Sequence, residues 1–204
     1  MDVNDRISRR VKELREALGW SLEVLAARSR VSRSNISLIE RGESSPTATV
    51  LDKLSAGLGV TVASLFEDSA AREAAPSPVA RVADQQVWAD PDSGYLRRNV
   101  SPAQRSPLQL VDVIFPAGQR VAYETGARDT EVHQQVWMID GAMEVTVGDA
   151  QWRLAAGDCL AMRLDRPLVY RNPTQRDARY LVALVALPFV PARSPACTLE
   201  PAGA

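Results

Sequence analysis

The 204-residue sequence predicts a multidomain chain of mixed α and β class, five short helices forming an all-α N-terminal part and an antiparallel all-β barrel following it. Three observations predict this. Apolar residues recur at three- and four-residue spacing before residue 68, and at period two in short runs beyond residue 108. Proline divides the chain in the same way, since only Pro46 of the thirteen precedes residue 76. Between the halves, residues 69–82 (SAAREAAPSPVARV) combine small residues with a Pro-Ser-Pro step and carry no apolar face, which marks a linker.

The first helix rests on Ile7, Val11, Leu14 and Leu18, which form one apolar stripe that Gly19 ends. Ser21 is an N-cap for a second helix at about residues 22–28, with Leu22, Leu25 and Ala26 facing inward. A turn through Ser29 and Val31 leads to a third helix at about residues 32–41, capped by Ser32, with Ile36 and Ile39 inward and Gly42 behind it. Thr47 opens a fourth helix carrying Val50, Leu51, Leu54 and Leu58, and Thr61 caps the fifth. Beyond the linker, LQLVDVIF, HQQVWMI, AMEVTV, AQWRL, CLAMRL and YLVALVAL are strand-like runs separated by Gly, Pro, Asn and Asp. Regular short strands with tight turns favour a sandwich or small barrel, which leaves few open edges. The domain boundaries expected are 6–68 for the helices, 69–82 for the linker, 83–190 for the barrel and 191–204 for a loosely ordered tail.

Composition narrows the function. At 46% hydrophobic and 24% charged residues the chain can bury a core, and no apolar run reaches the roughly 18 residues of a membrane span. The charged N-terminus lacks the apolar stretch of a signal peptide, so a cytoplasmic protein without membrane contact is expected. Cys159 and Cys197 lie far apart, which offers no disulfide framework and no four-cysteine zinc site. The single histidine, His133, disfavours most catalytic dyads and transition-metal sites. Net charge is −1, but residues 6–41 hold nine Lys/Arg and four Asp/Glu, a local excess suited to an anionic partner.

The segment SLEVLAARSRVSRSNISLIERGESSPT, with Gly19, Leu25-Ala26, Val31-Ser32, Ile36 and Ile39-Glu40-Arg41-Gly42 in register, resembles the Cro/CI-type (XRE) helix-turn-helix domain. That resemblance implies that the third helix reads double-stranded DNA. Physically, a helix enters the major groove when its N-terminal side chains are short and polar or carry a donor fork. Ser32, Arg33, Ser34, Asn35 and Ser37 meet that need, with Arg33 first as a bidentate guanine donor. Leu38 is placed to pack against a thymine methyl or against the protein. Ser21, at the start of the second helix, and Arg41 are the phosphate contacts. The resemblance also implies that Arg15 pairs with Glu40 inside the domain.

Residues 126–172 resemble the cupin fold, aligned by Gly141 in the first block and by Gly157-Asp158, Pro167 and Asn172 in the second. The metal ligands of that family do not follow. The glutamate place falls on Gln134, two histidine places fall near Arg128 and Thr130, and the last histidine place falls on Leu168. His133 neighbours Gln134 and, on a strand, points to the opposite face. The resemblance therefore implies a cupin with neither metal nor other cofactor and no catalytic residue. Its inward candidates are Gln134, Val136 and Met138 on one strand with Leu168 and Tyr170 on another, and its polar anchors Tyr123, Arg128 and Arg163. Val136, Met138 and Leu168 suit core packing before ligand contact, Gln134 suits either, and Cys159 reads as an inert core residue. The expected function is a homodimeric DNA-binding transcriptional regulator whose cupin binds a small effector, forms the dimer, or both. The alternative is a cupin enzyme of isomerase or dioxygenase type with an accessory DNA-binding head.

Overall fold

The computed structural model describes residues 2–66, 77–104, 106–124 and 130–188. Four α-helices come first: α1 (Val3–Ala17), α2 (Leu22–Ser29), α3 (Arg33–Glu40) and α4 (Ala48–Leu58). The fifth expected helix is instead a 3-10 helix, Val62–Phe66. Five residues close too few four-residue ladder bonds for an α-helix, and the tighter turn takes over. Thr61 still opens it, its hydroxyl accepting from Ser64 N at 3.2 Å. Ser21, Ser32 and Thr47 cap α2, α3 and α4 in the same way, accepting from Val24, Asn35 and Val50 amides at 3.3, 3.3 and 3.4 Å. Each cap is worth about 1 kcal/mol.

Ile7, Val11, Leu25, Ile36, Ile39, Leu51, Leu54 and Leu65 are fully buried between these helices. Gly57 lets α4 approach α2, because a Cβ there would stand 2.9 Å from Ser29 Cβ. Across the core, Arg15 Nε and Nη2 donate to the two Glu40 carboxylate oxygens at 2.7 Å each, and Nη1 donates to Trp20 O at 2.8 Å. The side chains are only 12% and 7% exposed, so the pair ties α1 to α3. Hydrogen bonding to Glu40 raises the Arg15 pKa above its ordinary value.

Ten strands follow: β1 (Val87–Ala89), β2 (Leu96–Asn99), β3 (Leu108–Phe115), β4 (Arg120–Tyr123), β5 (Thr130–Asp140), β6 (Ala142–Val147), β7 (Ala150–Ala155), β8 (Cys159–Arg163), β9 (Leu168–Arg171) and β10 (Ala178–Pro188). They pair antiparallel as one sheet of order β1-β2-β3-β10-β5-β8 and another of order β4-β9-β6-β7. This two-sheet barrel is the antiparallel architecture expected from the short strands and tight turns, and the cupin-like form that the resemblance of residues 126–172 implies. At the β5–β6 turn Gly141 sits at φ 78° with Asp177 O only 2.9 Å from where a Cβ would lie. Asn172 is wholly buried and structural: its amide donates to Phe115 O and Arg176 O at 3.2 and 2.8 Å.

The barrel and the helices share a seat. Asp90, 3% exposed, follows β1 and accepts the Ala48 amide at 2.8 Å, so a barrel carboxylate caps α4. Thr61 Oγ1 donates to Gln109 Oε1 at 3.0 Å, and Lys53 on α4 lies 3.1 Å from Glu124. Phe66 meets Trp88 edge to face at 6.1 Å between centroids. From Trp88 the rings continue through Tyr95, Phe115, Tyr180 and Tyr170 to Tyr123, an aromatic path from the helical domain through the barrel interior.

Candidate nucleic-acid interface and barrel cavity

Helix α3 presents one buried and one open face, because Ile36 and Ile39 are locked in the core and the capped N-terminus projects from it. Ser32, Arg33 and Ser34 are exposed, Asn35 and Ser37 are half-buried beside them, and Leu38 is 37% exposed. Ser32 Oγ is 3.2 Å from Ser34 Oγ, which gathers the short hydroxyls at the helix start. The Arg33 guanidinium pairs with Glu23 of α2, both side chains remaining exposed. Arg41 donates to both Glu43 oxygens at 2.8 Å and to Ser37 Oγ at 3.0 Å. Ser21 caps α2 on the same surface, and Arg28 stacks 4.3 Å over Trp20. The surface thus offers cationic forks held by exposed carboxylates, which water and phosphate displace at small cost.

The second feature is a cavity of about 110 Å³ in the barrel, to whose lining α4 contributes Ala48, Leu51 and Asp52. Alternation along β5 buries Val132, Gln134, Val136 and Met138 and exposes His133, Gln135, Trp137 and Ile139. Gln134, Tyr123, Leu168 and Tyr170 line the cavity, and Gln134 Nε2 donates to the Tyr170 hydroxyl. Tyr95 and Tyr123 hydroxyls are 3.3 Å apart. Burial pushes the phenols of Tyr95, Tyr123, Tyr170 and Tyr180 above their ordinary pKa, so all four are neutral hydroxyls at neutral pH.

Two expectations need correction. Arg163 is not an inward anchor: β8 turns Leu160 and Met162 inward and Arg163 outward, where it pairs with Glu131 at 3.0 Å and Asp165 at 2.7 Å. Met138 is wholly buried in the core, the role favoured for it over ligand contact, and is not part of the cavity lining. Cys159 is an exposed outer-face residue opposite Trp137, not a core residue. Arg128 lies outside the described residues. What the sequence missed are Arg97 and Tyr95 of the cavity and Asp90 of the seat. The one available signal was the alternation in GYLRRNV, which places Tyr95 and Arg97 on one face.

A cupin-type metal does not fit these residues. Gln134 is an amide engaged with Tyr170, Leu168 is apolar, and His133 faces outward beside Glu131 at 3.2 Å. Among the described residues no three His, Cys, Asp or Glu side chains gather as a metal-ligand group.

Residues 11–65 match the helix-turn-helix family HTH_3. The chain is similar to the HTH-type transcriptional regulator SutR of Escherichia coli (strain K12), with 28% identity over 188 residues, 85% of this chain and 91% of that protein. It is also similar to the control protein C.MunI of Mycoplasma sp, with 38% identity over 68 residues that span 33% of this chain and 92% of that one. A crystal structure of an HTH_3 family transcriptional regulator from Vibrio cholerae shares the fold, with a TM-score of 0.73 at 22% identity, covering 90% of this chain and 96% of that one.

Proposed function

Because the chain belongs to the helix-turn-helix family HTH_3, we propose that it is a sequence-specific DNA-binding transcriptional regulator, not an enzyme, whose barrel responds to a small molecule. The observation that carries this is the open face of α3, a capped helix that offers Ser32, Arg33 and Ser34 on a core-locked seat. In the major groove Arg33 leaves Glu23 for a guanine, a bidentate contact worth about 1–3 kcal/mol of discrimination. Ser34, Asn35, Ser37 and Leu38 flank it, while Ser21 and Arg41 hold phosphates.

One such helix touches few base pairs, so the working form is a homodimer with two half-sites about one helical turn apart. Exposed Trp137 and Ile139 on the outer face of the larger sheet offer apolar area for that contact. The effector occupies the barrel cavity and acts by binding one arrangement of the heads more tightly than another. A cytoplasmic location follows from a role on DNA; among the described residues no helix is long and apolar enough to cross a membrane.

The test is selection of bound fragments from sheared genomic DNA at two salt concentrations, with wild type and Arg33→Ala. Wild type is expected to recover a shared, roughly palindromic sequence that the variant does not. Recovery of the same salt-sensitive, sequence-independent DNA by both proteins would remove the proposal.

A further inference from the structure

The barrel interior holds a charge that the fold leaves unanswered. Arg97 on β2 is 6% exposed and lines the cavity. Its guanidinium lies 5.1 Å over the Phe66 ring, and among the described residues its one hydrogen bond, from Nη1 to Asn99 Oδ1, is long at 3.5 Å. Five N–H donors are therefore served by a single weak acceptor. The titratable groups that act on it are the phenols of Tyr95, Tyr123 and Tyr180, neutral hydroxyls at neutral pH, with no carboxylate among them, and burial pulls its pKa below the ordinary value. A buried cation without a counter-charge is costly, and a guanidinium is shaped for a carboxylate.

The surroundings describe the rest of the occupant. Tyr170 and Tyr180 stack with ring centroids 5.9 Å apart, and Leu168, Val182 and Leu184 complete an apolar wall. A water needs about 10–15 Å³ of such space, so the cavity holds roughly seven to ten non-hydrogen atoms. Arg97 is the buried guanidinium of the lining, while Arg166, also in the lining, is 60% exposed and pairs with Asp165 at 3.1 Å; one buried fork suits a monoanion, whereas a phosphate dianion needs more donors. Asp52 also lines the cavity, from α4, but has interactions of its own. Ala48 and Leu51 of α4, with Thr61 and Val62, line the same space, so whatever fills it touches the helical domain.

We propose that this cavity binds a small organic carboxylate of about seven to ten non-hydrogen atoms, paired with Arg97 and packed on Tyr170, Tyr180 and Leu168, and that α4 senses its presence. This names the ligand class of the effector site, and its regulatory half rests on the DNA-binding reading. Helix α4 follows α3 directly in the chain, and the Asp90 cap fixes its N-terminus to the barrel, so a change in the cavity reaches the recognition helix through one loop.

The experiment is calorimetric titration of the full chain with hexanoate and benzoate, against hexanamide and benzamide as neutral molecules of matched shape. Affinity for the selected DNA fragment is measured with and without each. The carboxylates are expected to bind at least tenfold more tightly than their amides, Arg97→Gln to lose at least tenfold, and Arg97→Lys to restore part of the loss. Failure of both carboxylates to bind, amides binding equally well, or Arg97→Gln within twofold of wild type would each overturn the site. If Arg97→Gln fails to fold, the wild-type comparison of acid with amide and the Arg97→Lys variant still decide. Arg97-dependent binding that leaves DNA affinity unchanged overturns the sensing by α4 and supports the site. Carboxylate binding by a chain that selects no specific DNA supports the ligand class and refutes the regulatory reading.

Discussion

Removing the Asp90 carboxylate probes the joint between the two domains. Its oxygens accept three hydrogen bonds, from the Ala48 amide at 2.8 Å, the Ser93 amide at 3.0 Å and the Ser93 hydroxyl. Hydrogen bonds to a charged group contribute about 1.5–3 kcal/mol each, but three on one buried carboxylate are coupled and do not add in full. Asp90→Ala strands two buried amides and is expected to cost about 3–4 kcal/mol. Asp90→Asn keeps an oxygen for Ala48 but turns an NH₂ toward the Ser93 amide; the Ser93 hydroxyl can rotate to accept, so the loss falls to about 1–2 kcal/mol. Urea unfolding followed by circular dichroism and by tryptophan fluorescence measures both. A shift of the midpoint at unchanged slope is expected. Asp90→Ala within about 0.5 kcal/mol of wild type, or Asp90→Asn as damaging as Asp90→Ala, would refute the role assigned to this cap.

Three more predictions concern the helical domain. Glu40→Ala leaves the buried Arg15 guanidinium with Trp20 O and a 3.5 Å contact to the exposed Glu16 only, and is expected to destabilise the chain by about 3 kcal/mol in the same urea assay. Gly57→Ala gains about 0.5–1 kcal/mol of helix propensity but forces a methyl group against Ser29, so a net loss of about 1 kcal/mol in thermal unfolding is expected. Glu23→Gln releases Arg33 and is expected to strengthen DNA binding several-fold, read by fluorescence anisotropy. The Glu23 carboxyl is held below its ordinary pKa, chiefly by a hydrogen bond to its own backbone amide and also by Ser21 and Arg33. Its contact with Arg33 is therefore intact at neutral pH and is lost only as pH falls through that lowered value. Between about pH 8 and 6 wild-type affinity is expected to stay flat with respect to this pair.

The helical half was legible because its signals are local. The caps at Ser21, Ser32 and Thr47 and the stripe of Ile7, Val11, Leu25, Ile36 and Leu51 each lie within one or two turns, and they appear where the pattern puts them. The long strands β3, β5 and β10 were visible for the same reason. Strands β1, β2 and β4 have three or four residues, too few for alternation to register, and two arginines in β2 mask its inward face. Arg163 was misplaced because its facing depends on pairing with β5, where it sits opposite the outward His133. Asp90 and Arg97 acquire meaning only through partners in the helical domain, Ala48 and Phe66, forty-two residues away in the first case. No window along the chain contains both halves of such a contact.

Hydroxyl-radical footprinting of the full chain on a recovered genomic fragment tests the claim that α3 reads DNA most directly. Two protected patches centred about 10 base pairs apart are expected, lost with Arg33→Ala and retained with Glu23→Gln. Uniform weak protection, or patches unchanged by Arg33→Ala, would contradict it.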